Sequence, residues 1–397
     1  MDDHLPRATP AQPVSAAAAG ACSAAPSFAP SFAPSSTTLS IQSDAGEPPL
    51  GALERMPKWL IIVPLVFQWL YLSLRFGGAT VPSAANPAIT AGGLVGEGKL
   101  EYLAQMGPMA LAATATSSGF KVDHHSLNAA RLQAAMNETG LAFPVIVKPD
   151  LGLCGYGVRR IDTPAALLAY AQAFPDGETI VLQRYLAEAG EAGIFYARDP
   201  RSGAGRITGL ALRRFPQVRG DGASTVARLM QASPRAQRLL GRAAHRCAAN
   251  LKAVPAAGET VRLSTIGSTR VGGLYLDGAG LITPALTAAI DAIARDMSGG
   301  DFHFGRFDLR YTSEAALREG RGFTIMEVNG AGSEAIQAWD PATGLVAGLR
   351  TIFAKQRLLF EIGAANRRRG ARPIGLLALA RLNAAQNRLL DAYPPSN

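Results

Sequence analysis

The chain has 397 residues, 48% of them apolar, and carries 39 Lys and Arg against 30 Asp and Glu, a net charge of +9. That length exceeds one small core and predicts two or three lobes, and the charge fits an anionic ligand or surface. With 7% aromatic residues, no RNA-binding sheet motif and no zinc-finger spacing, a nucleic-acid partner is not expected. Three scattered cysteines and the lack of an HExxH pattern argue against a disulfide framework and zinc, and predict a reducing, cytoplasmic setting.

Residues 1–50 are rich in Ala, Pro and Ser and contain the tandem SFAPSFAPSS. This composition cannot bury enough surface to order itself, so it reads as a disordered low-complexity tail. Asp2 and Asp3 stand where a signal peptide needs positive charge. An N-terminal region, 51–138, follows, and its most apolar run is WLIIVPLVFQWLYLSL, Trp59 to Leu74. Sixteen residues broken by Pro64 and Gln68 fall short of the roughly 20 that a spanning helix needs. A buried core helix is the leading expectation. An interfacial anchor making peripheral membrane contact stays open, because Arg55, Lys58 and Arg75 flank the run and Trp59, Trp69 and Tyr71 suit an interface.

The Gly-rich loop at 86–100 nearly spells a P-loop, with Gly93 and then Gly98-Lys99, but Leu100 stands where Ser or Thr should hold magnesium. A loop capping a helix is the expected reading, with a P-loop-like phosphotransferase as the alternative. From about 140 strands and helices alternate. LAFPVIVKP, TIVLQRYL, GIFYAR, ITGLALRR, FGRFDLRY and FTIMEVNG read as strands, with VRLSTIG and TRVGGLYLDG as a further pair. Thr163-Pro164, Ser233-Pro234, Thr283-Pro284 and Asp340-Pro341 each read as a helix start, the second helix running to about Leu251. Paired strands between helices predict α+β lobes rather than one doubly wound sheet.

The chemistry concentrates in three stretches. In GRFDLRY strand alternation puts Arg306, Asp308 and Arg310 on one face and Phe307, Leu309 and Tyr311 on the other. In FTIMEVNG it groups Glu327 and Asn329 with Ile325, opposite Met326 and Val328. Side by side, these strands would bring Asp308, Glu327 and Asn329 into a hard oxygen cluster suited to magnesium. Read alone, Asp308–Arg310 or Arg306–Glu327 are ordinary cross-strand ion pairs. In FPVIVKPDLGLCGYG, Lys148 ends a strand and runs into Gly152, Gly155 and Gly157. A lysine there can touch phosphate while glycines let backbone N–H groups approach it. In the third stretch, TIVLQRYLAEAGE, an apolar strand edge suits adenine, and Glu191 could reach a ribose hydroxyl.

Together IVKPDLGLCGYG, VLQRY, GRFDLRY and IMEVNGAGSEA resemble the ATP-grasp superfamily over roughly residues 140–345, closest to D-alanine–D-alanine ligase and related carboxylate–amine ligases. RGDGASTVARLM resembles a segment of cyanophycin-synthetase-like members. The resemblance implies an α+β ATP-grasp domain at 139–365, two lobes gripping a nucleotide, and leaves 366–397 as a basic C-terminal segment. It implies that Lys148 with Gly155 and Gly157 binds ATP phosphates, and that Gln183, Tyr185 and Leu186 line the hinge with Glu191 at the ribose. Asp308, Glu327 and Asn329 would hold Mg2+ (or Mn2+), and Arg306, with Arg270 as a second candidate, would steady the reacting centre. Lys99 and Lys121 are both candidates for a further phosphate-contacting lysine. The family fills position 183 with Glu, and this chain has Gln. The implied activity joins small-molecule carboxylate and amine substrates with release of ADP and phosphate, in a homodimer by default. Ser224, His303, Ser333 and Glu334 are further candidates to line the substrate pocket. The competing non-enzymatic reading is a membrane-associated nucleotide-binding protein built on Trp59–Leu74 and the basic run Arg367–Arg369.

Overall fold

The computed structural model describes residues 48–240 and 247–397. The tail expectation for 1–50 therefore lies outside the described residues, apart from its last three positions, as does Cys22. The described chain begins with helices α1 (Ala52–Arg55), α2 (Lys58–Phe76), α3 (Lys99–Ala104) and α4 (Pro108–Ala112). Between α2 and α3 the backbone forms two short 3-10 turns, Val81–Ala84 and Thr90–Gly93.

A first antiparallel sheet takes β1 (Ser117–Lys121), β2 (Val145–Pro149), β3 (Arg159–Ile161) and β4 (Thr179–Arg184) in the order β1-β4-β2-β3. Helices α5 (Ala129–Glu138) and α6 (Pro164–Gln172) cover one face of it. Asn128 and Thr163 cap them, each accepting a hydrogen bond from the backbone N–H three residues on, at 3.0 and 3.2 Å. Val145, Val147, Ile180 and Leu182 point into the core under these helices with Leu132 and Tyr170.

The second antiparallel sheet uses β5 (Gly190–Arg198) and β6 (Gly205–Arg214). A small ribbon of β7 (Gln217–Arg219) and β8 (Thr260–Arg262) intervenes, with helix α7 (Val226–Ala232) packed on it. Strand β9 (Leu274–Asp277), helix α8 (Pro284–Arg295), strand β10 (Phe304–Tyr311), helix α9 (Glu314–Arg318) and strand β11 (Phe323–Asn329) follow, giving the sheet order β11-β10-β5-β6-β9. Thr283 caps α8 at 3.1 Å, and Leu286, Ile290 and Ile293 bury its apolar stripe against Ile194, Phe307 and Leu309 of the sheet. Two long helices, α10 (Leu345–Arg368) and α11 (Leu376–Ala392), close the chain. The mixed α+β architecture and its antiparallel sheets agree with the sequence expectation.

Several local expectations are corrected. Among the described residues after Ser233 the expected long helix is not found: 236–239 form a 3-10 turn, and 247–251 are irregular. The expected strand pair splits, β8 joining β7 and β9 joining β6, because Gly272 and Gly273 end a tight turn between them. The helix expected from Asp340-Pro341, α10, starts at Leu345, after a turn in which Asp340 Oδ1 accepts from the Ala342 N–H at 2.7 Å. Residues 366–397 are more than a basic segment, since α11 fills most of them.

Helix α2 is not a core helix. Ile61, Leu65, Trp69 and Leu72 turn inward, and the Trp69 ring meets Phe360 of α10 edge-on at 4.9 Å. Nine large apolar side chains face outward, from Trp59 (64% exposed) to Leu74 (86%).

Candidate active site between the two sheets

The site is built on the face of the second sheet opposite α8. Alternation along β10 sends Phe307, Leu309 and Tyr311 to the core and Arg306, Asp308 and Arg310 to this face, as expected. Strand β11 departs from regular alternation. Its register against β10 slips between Asp308 and Leu309, so that Asp308 pairs with Glu327 while Leu309 pairs with Ile325. The extra residue turns Ile325 into the core beside Val328 and leaves Glu327 and Asn329 on the polar face. The expected grouping of Ile325 with Glu327 is thereby corrected, but the convergence of Asp308, Glu327 and Asn329 stands.

Asp308 is nearly sealed from solvent and carries three partners. Arg306 grips it with Nε and Nη2 at 2.7 and 2.9 Å, Arg213 reaches Oδ2 at 2.9 Å, and the Asn329 amide donates to the same oxygen at 3.1 Å. Gly193 pairs with Asp308 on β5, and a Cβ there would crowd Asp308 Oδ1 at 3.1 Å and Arg306 Cδ at 3.2 Å. A buried carboxylate survives only with such compensation.

Two lysines close the cleft from the other side. Lys148, at the end of β2, donates to Gln183 Oε1 at 3.0 Å and to the Met326 carbonyl at 3.1 Å, bridging the two sheets. Burial lowers its amine to about 8, against the opposing pull of Glu327. Lys99, in the first turn of α3, reaches Glu327 Oε1 at 3.3 Å and the Asp150 carbonyl at 3.2 Å. Burial pushes the Glu327 carboxyl up, but Lys99, Lys148 and Arg306 together hold it down at about 2, so it is fully ionised. Between the two open candidates, Lys99 joins the cleft, whereas Lys121 lies exposed on β1. The cavity bounded by Lys99, Lys148, Gln183 and Glu327 measures about 20 Å³, room for one water.

The glycine loop after Lys148 spans residues 151–157, with Gly155 and Gly157 at φ of +76° and +70°. It is anchored from below by Tyr393, whose hydroxyl donates to the Leu151 carbonyl at 2.7 Å and whose ring stacks on Phe174. Arg270 belongs to this loop rather than to the carboxylate cluster: its Nε donates to the Cys154 carbonyl at 3.1 Å and its guanidinium lies 4.2 Å from the Tyr156 ring centre. The structure thus places Arg270 at the loop, whereas the sequence expectation sets it as a second to Arg306.

The hinge expectations fare unevenly. Gln183 is buried, and its amide nitrogen donates to Ser117 Oγ and the Met326 carbonyl, both at 2.9 Å, so it ties lobes together. Leu186 is buried, and Tyr185 is half-buried under Arg160 at 4.7 Å. Glu191 is not a solvated reach toward a ribose. It sits 5% exposed in β5, paired with Arg213 and Arg310, each at 3.3 Å. Strand pairing puts it beside Arg310, so its carboxylate balances two arginines.

Of the pocket candidates, Ser333 and Glu334 lie beside Arg306, whose Nη1 donates to the Glu334 carbonyl at 3.3 Å. The Ser333 hydroxyl is buried without a partner. His303 is elsewhere, under Asn86 and Arg198, where burial lowers its imidazole to about 4. Ser224 closes a tight turn against Asp221 at 2.6 Å. Cys154 is exposed at the loop tip, not a packing residue. The P-loop alternative finds no cradle: Gly92 and Gly93 are buried against Ser83 and Gly330, and Gly98 precedes a six-residue helix.

Sequence reasoning missed Arg213 and Lys355. Alternation in ITGLALRR, with Leu210 and Leu212 in the core, already places Arg213 on the opposite face. Lys355, half-buried on α10, lies near Glu334 and Arg306, and burial lowers it to about 8. Nothing in its own stretch of sequence signals this, since it depends on how α10 crosses the sheet.

No family model and no curated protein matches the sequence. Solved structures to which the chain shows a loose similarity include two ligases. One is a bifunctional glutathione synthetase from Pasteurella multocida, at 16% identity and TM-score 0.33, covering 62% of this chain and 34% of that one. The other is the VanG D-Ala:D-Ser ligase from Enterococcus faecalis, at 14% identity and TM-score 0.34, covering 65% and 59%. This chain thus spans less than two thirds of either, and likenesses this loose carry no assignment of activity.

Proposed function

We propose that the chain is an ATP-grasp carboxylate–amine ligase that uses ATP and magnesium. One observation carries the reading: Lys99 of α3 and Lys148 of β2 converge on ionised Glu327 in a cleft between two sheets, with Asp308 directly across the ladder from it. Five cations (Lys99, Lys148, Arg213, Arg306, Arg310) surround three carboxylates, an excess of positive charge suited to a triphosphate.

The donor set fits a hard cation. Asp308 and Glu327 offer carboxylate oxygens on adjacent strands and Asn329 an amide oxygen, a set magnesium accepts alongside phosphate oxygens. Among the described residues no three His, Cys, Asp or Glu side chains gather, so the donor set here is two carboxylates and one amide. Bound magnesium would neutralise phosphate charge. In this reading Lys148 and Lys99 grip the phosphates and exchange their present partners, Gln183 and Glu327, for phosphate oxygens. Arg306, held in one orientation by Asp308, faces the reacting carboxyl beside Ser333. The carboxylate oxygen attacks the γ-phosphorus as the bond to ADP breaks. The amine then attacks the acyl carbon, phosphate leaves, and the amine proton passes to solvent or phosphate. The chain supplies positioning and charge rather than a nucleophile.

The test is a screen of amino acids and small carboxylates for stimulated release of ADP and phosphate with Mg2+. Glu327→Ala and Arg306→Ala should each lower that turnover by on the order of 10²–10³. Release of AMP, or full turnover in both variants, would remove the assignment.

A further inference from the structure

Helix α2 presents a feature the cleft does not use. At 100° per residue, Trp59, Leu60, Ile62, Val63, Val66, Phe67, Leu70, Tyr71 and Leu74 fall within about half the circumference of the helix, and each is 41% exposed or more. The opposite half is held by the protein. Trp69 and Phe76 pack on Phe360, Gln68 donates to the Phe353 carbonyl at 2.8 Å, and Gln356 donates to the Leu65 carbonyl at 3.4 Å. The helix's mid-length polar side chain, Gln68, therefore faces inward, and the outward half is apolar apart from Ser73, whose hydroxyl is tied back to the Trp69 carbonyl at 2.6 Å. A helix apolar all round belongs in a core or in lipid, and this one has a core on one side only.

Charge decides what covers the other side. Between 51 and 80 the single acid, Glu54, is taken by Arg235 at 2.8 Å and Arg238 at 3.1 Å. The exposed charges on this stretch are Arg55 and Lys58 at one end and Arg75 at the other, all positive. An apolar stripe about 24 Å long, bracketed by cations and carrying Trp59 and Tyr71, matches an anionic bilayer surface. The grip of α10 on the inner face keeps the helix alongside the domain, parallel to such a surface.

We propose that α2 docks the protein on anionic lipid, lying in the plane of the interface with its outer half in the acyl boundary. The full chain should co-sediment with phosphatidylcholine vesicles containing phosphatidylserine and much less with phosphatidylcholine alone. Phe67→Glu with Leu70→Glu should lower the bound fraction at least tenfold without shifting the thermal unfolding midpoint, since neither side chain is buried. Arg55→Gln with Lys58→Gln should weaken binding only to the anionic vesicles. Trp59 fluorescence should be quenched by lipids brominated near the headgroup end of the acyl chain more than by those brominated at its far end. Equal sedimentation of both vesicle types, or none, overturns the proposal. So does a concentration-dependent dimer that Phe67→Glu abolishes, which would give the face to a second copy. Deep quenching would replace docking by spanning. None of these readouts depends on the nucleotide site.

Discussion

Two glycine-rich loops, 92–98 and 151–157, look alike in composition and play opposite parts. In the first, Gly92 and Gly93 hold left-handed backbone (φ +65° and +77°) pressed against other backbone. A Cβ on Gly93 would sit 2.6 Å from the Gly330 Cα, and the Gly92 carbonyl accepts from the Ala331 N–H at 3.2 Å. These glycines let the first loop strap down the exit of β11 and so fix Glu327 and Asn329 in place. In the second loop, a Cβ on Gly152 or Gly155 would crowd only side-chain atoms, of Lys99 and Ile266, the nearest backbone atom being the Pro149 carbonyl oxygen in ordinary contact at 3.5 Å from Gly152. A glycine that spaces two backbones is structural, and a glycine bordered by movable side chains leaves room for a ligand.

The largest effect should follow from attacking the first loop. Gly93→Ala adds a steric overlap with Gly330 backbone to an unfavourable φ and should cost about 4 kcal/mol or more in urea unfolding. A variant as stable as the parent would show that this loop is not the brace described. The second loop's lysine should instead act on binding. Lys148→Ala should weaken Mg·ATP binding by a hundredfold or more, about 3 kcal/mol by calorimetry, with little loss of stability, because its buried amine is already held below its usual range. Lys121→Ala, on exposed β1, should change neither.

Glu97 sharpens the contrast within the first loop. Burial raises its carboxyl to about 7, and its Oε2 has no hydrogen-bond partner. A folded-state value above the unfolded 4.5 means that the native protein holds the proton more tightly. Its contribution is therefore full below pH 4.5 and lost as pH rises through about 7, up to roughly 3 kcal/mol. Glu97→Gln should flatten stability between pH 5 and 8 and raise the unfolding midpoint at pH 8. An unchanged pH profile would mean that this carboxyl ionises normally.

What the sequence could disclose follows from how far each feature reaches along the chain. Thr163-Pro164 and Thr283-Pro284 are local signals, and both helices begin there. Arg306 and Asp308 follow from strand alternation, which needs only neighbours two residues apart, and Lys148 from its place at a strand end before the glycines. Glu327 was placed correctly although the β11 register slip misdirects Ile325, because the slip falls N-terminal to it. The partners that Glu191 and Arg270 hold in the structure, Arg213, Arg310 and Cys154, come from pairings 22 to 119 residues away that no local pattern encodes. The outward half of α2 was hidden for a related reason: an apolar run does not say which of its sides finds a neighbour.

The smallest predicted effect tests the comparison most directly. Gly152 has an ordinary φ, and a Cβ there would approach the Lys99 amine at 2.9 Å, the mobile end of a long side chain. Gly152→Ala should therefore shift stability by no more than about 0.5 kcal/mol. It should still push Lys99 off the line joining it to Glu327, since that contact spans only 3.3 Å. If Lys99 serves a phosphate, Mg·ATP affinity should fall several-fold while urea unfolding stays put. A loss of stability comparable to that of Gly93→Ala would make both loops internal braces and leave Lys148 without a movable flap beside it. Unchanged affinity with unchanged stability would confine the phosphate contacts to Lys148 alone.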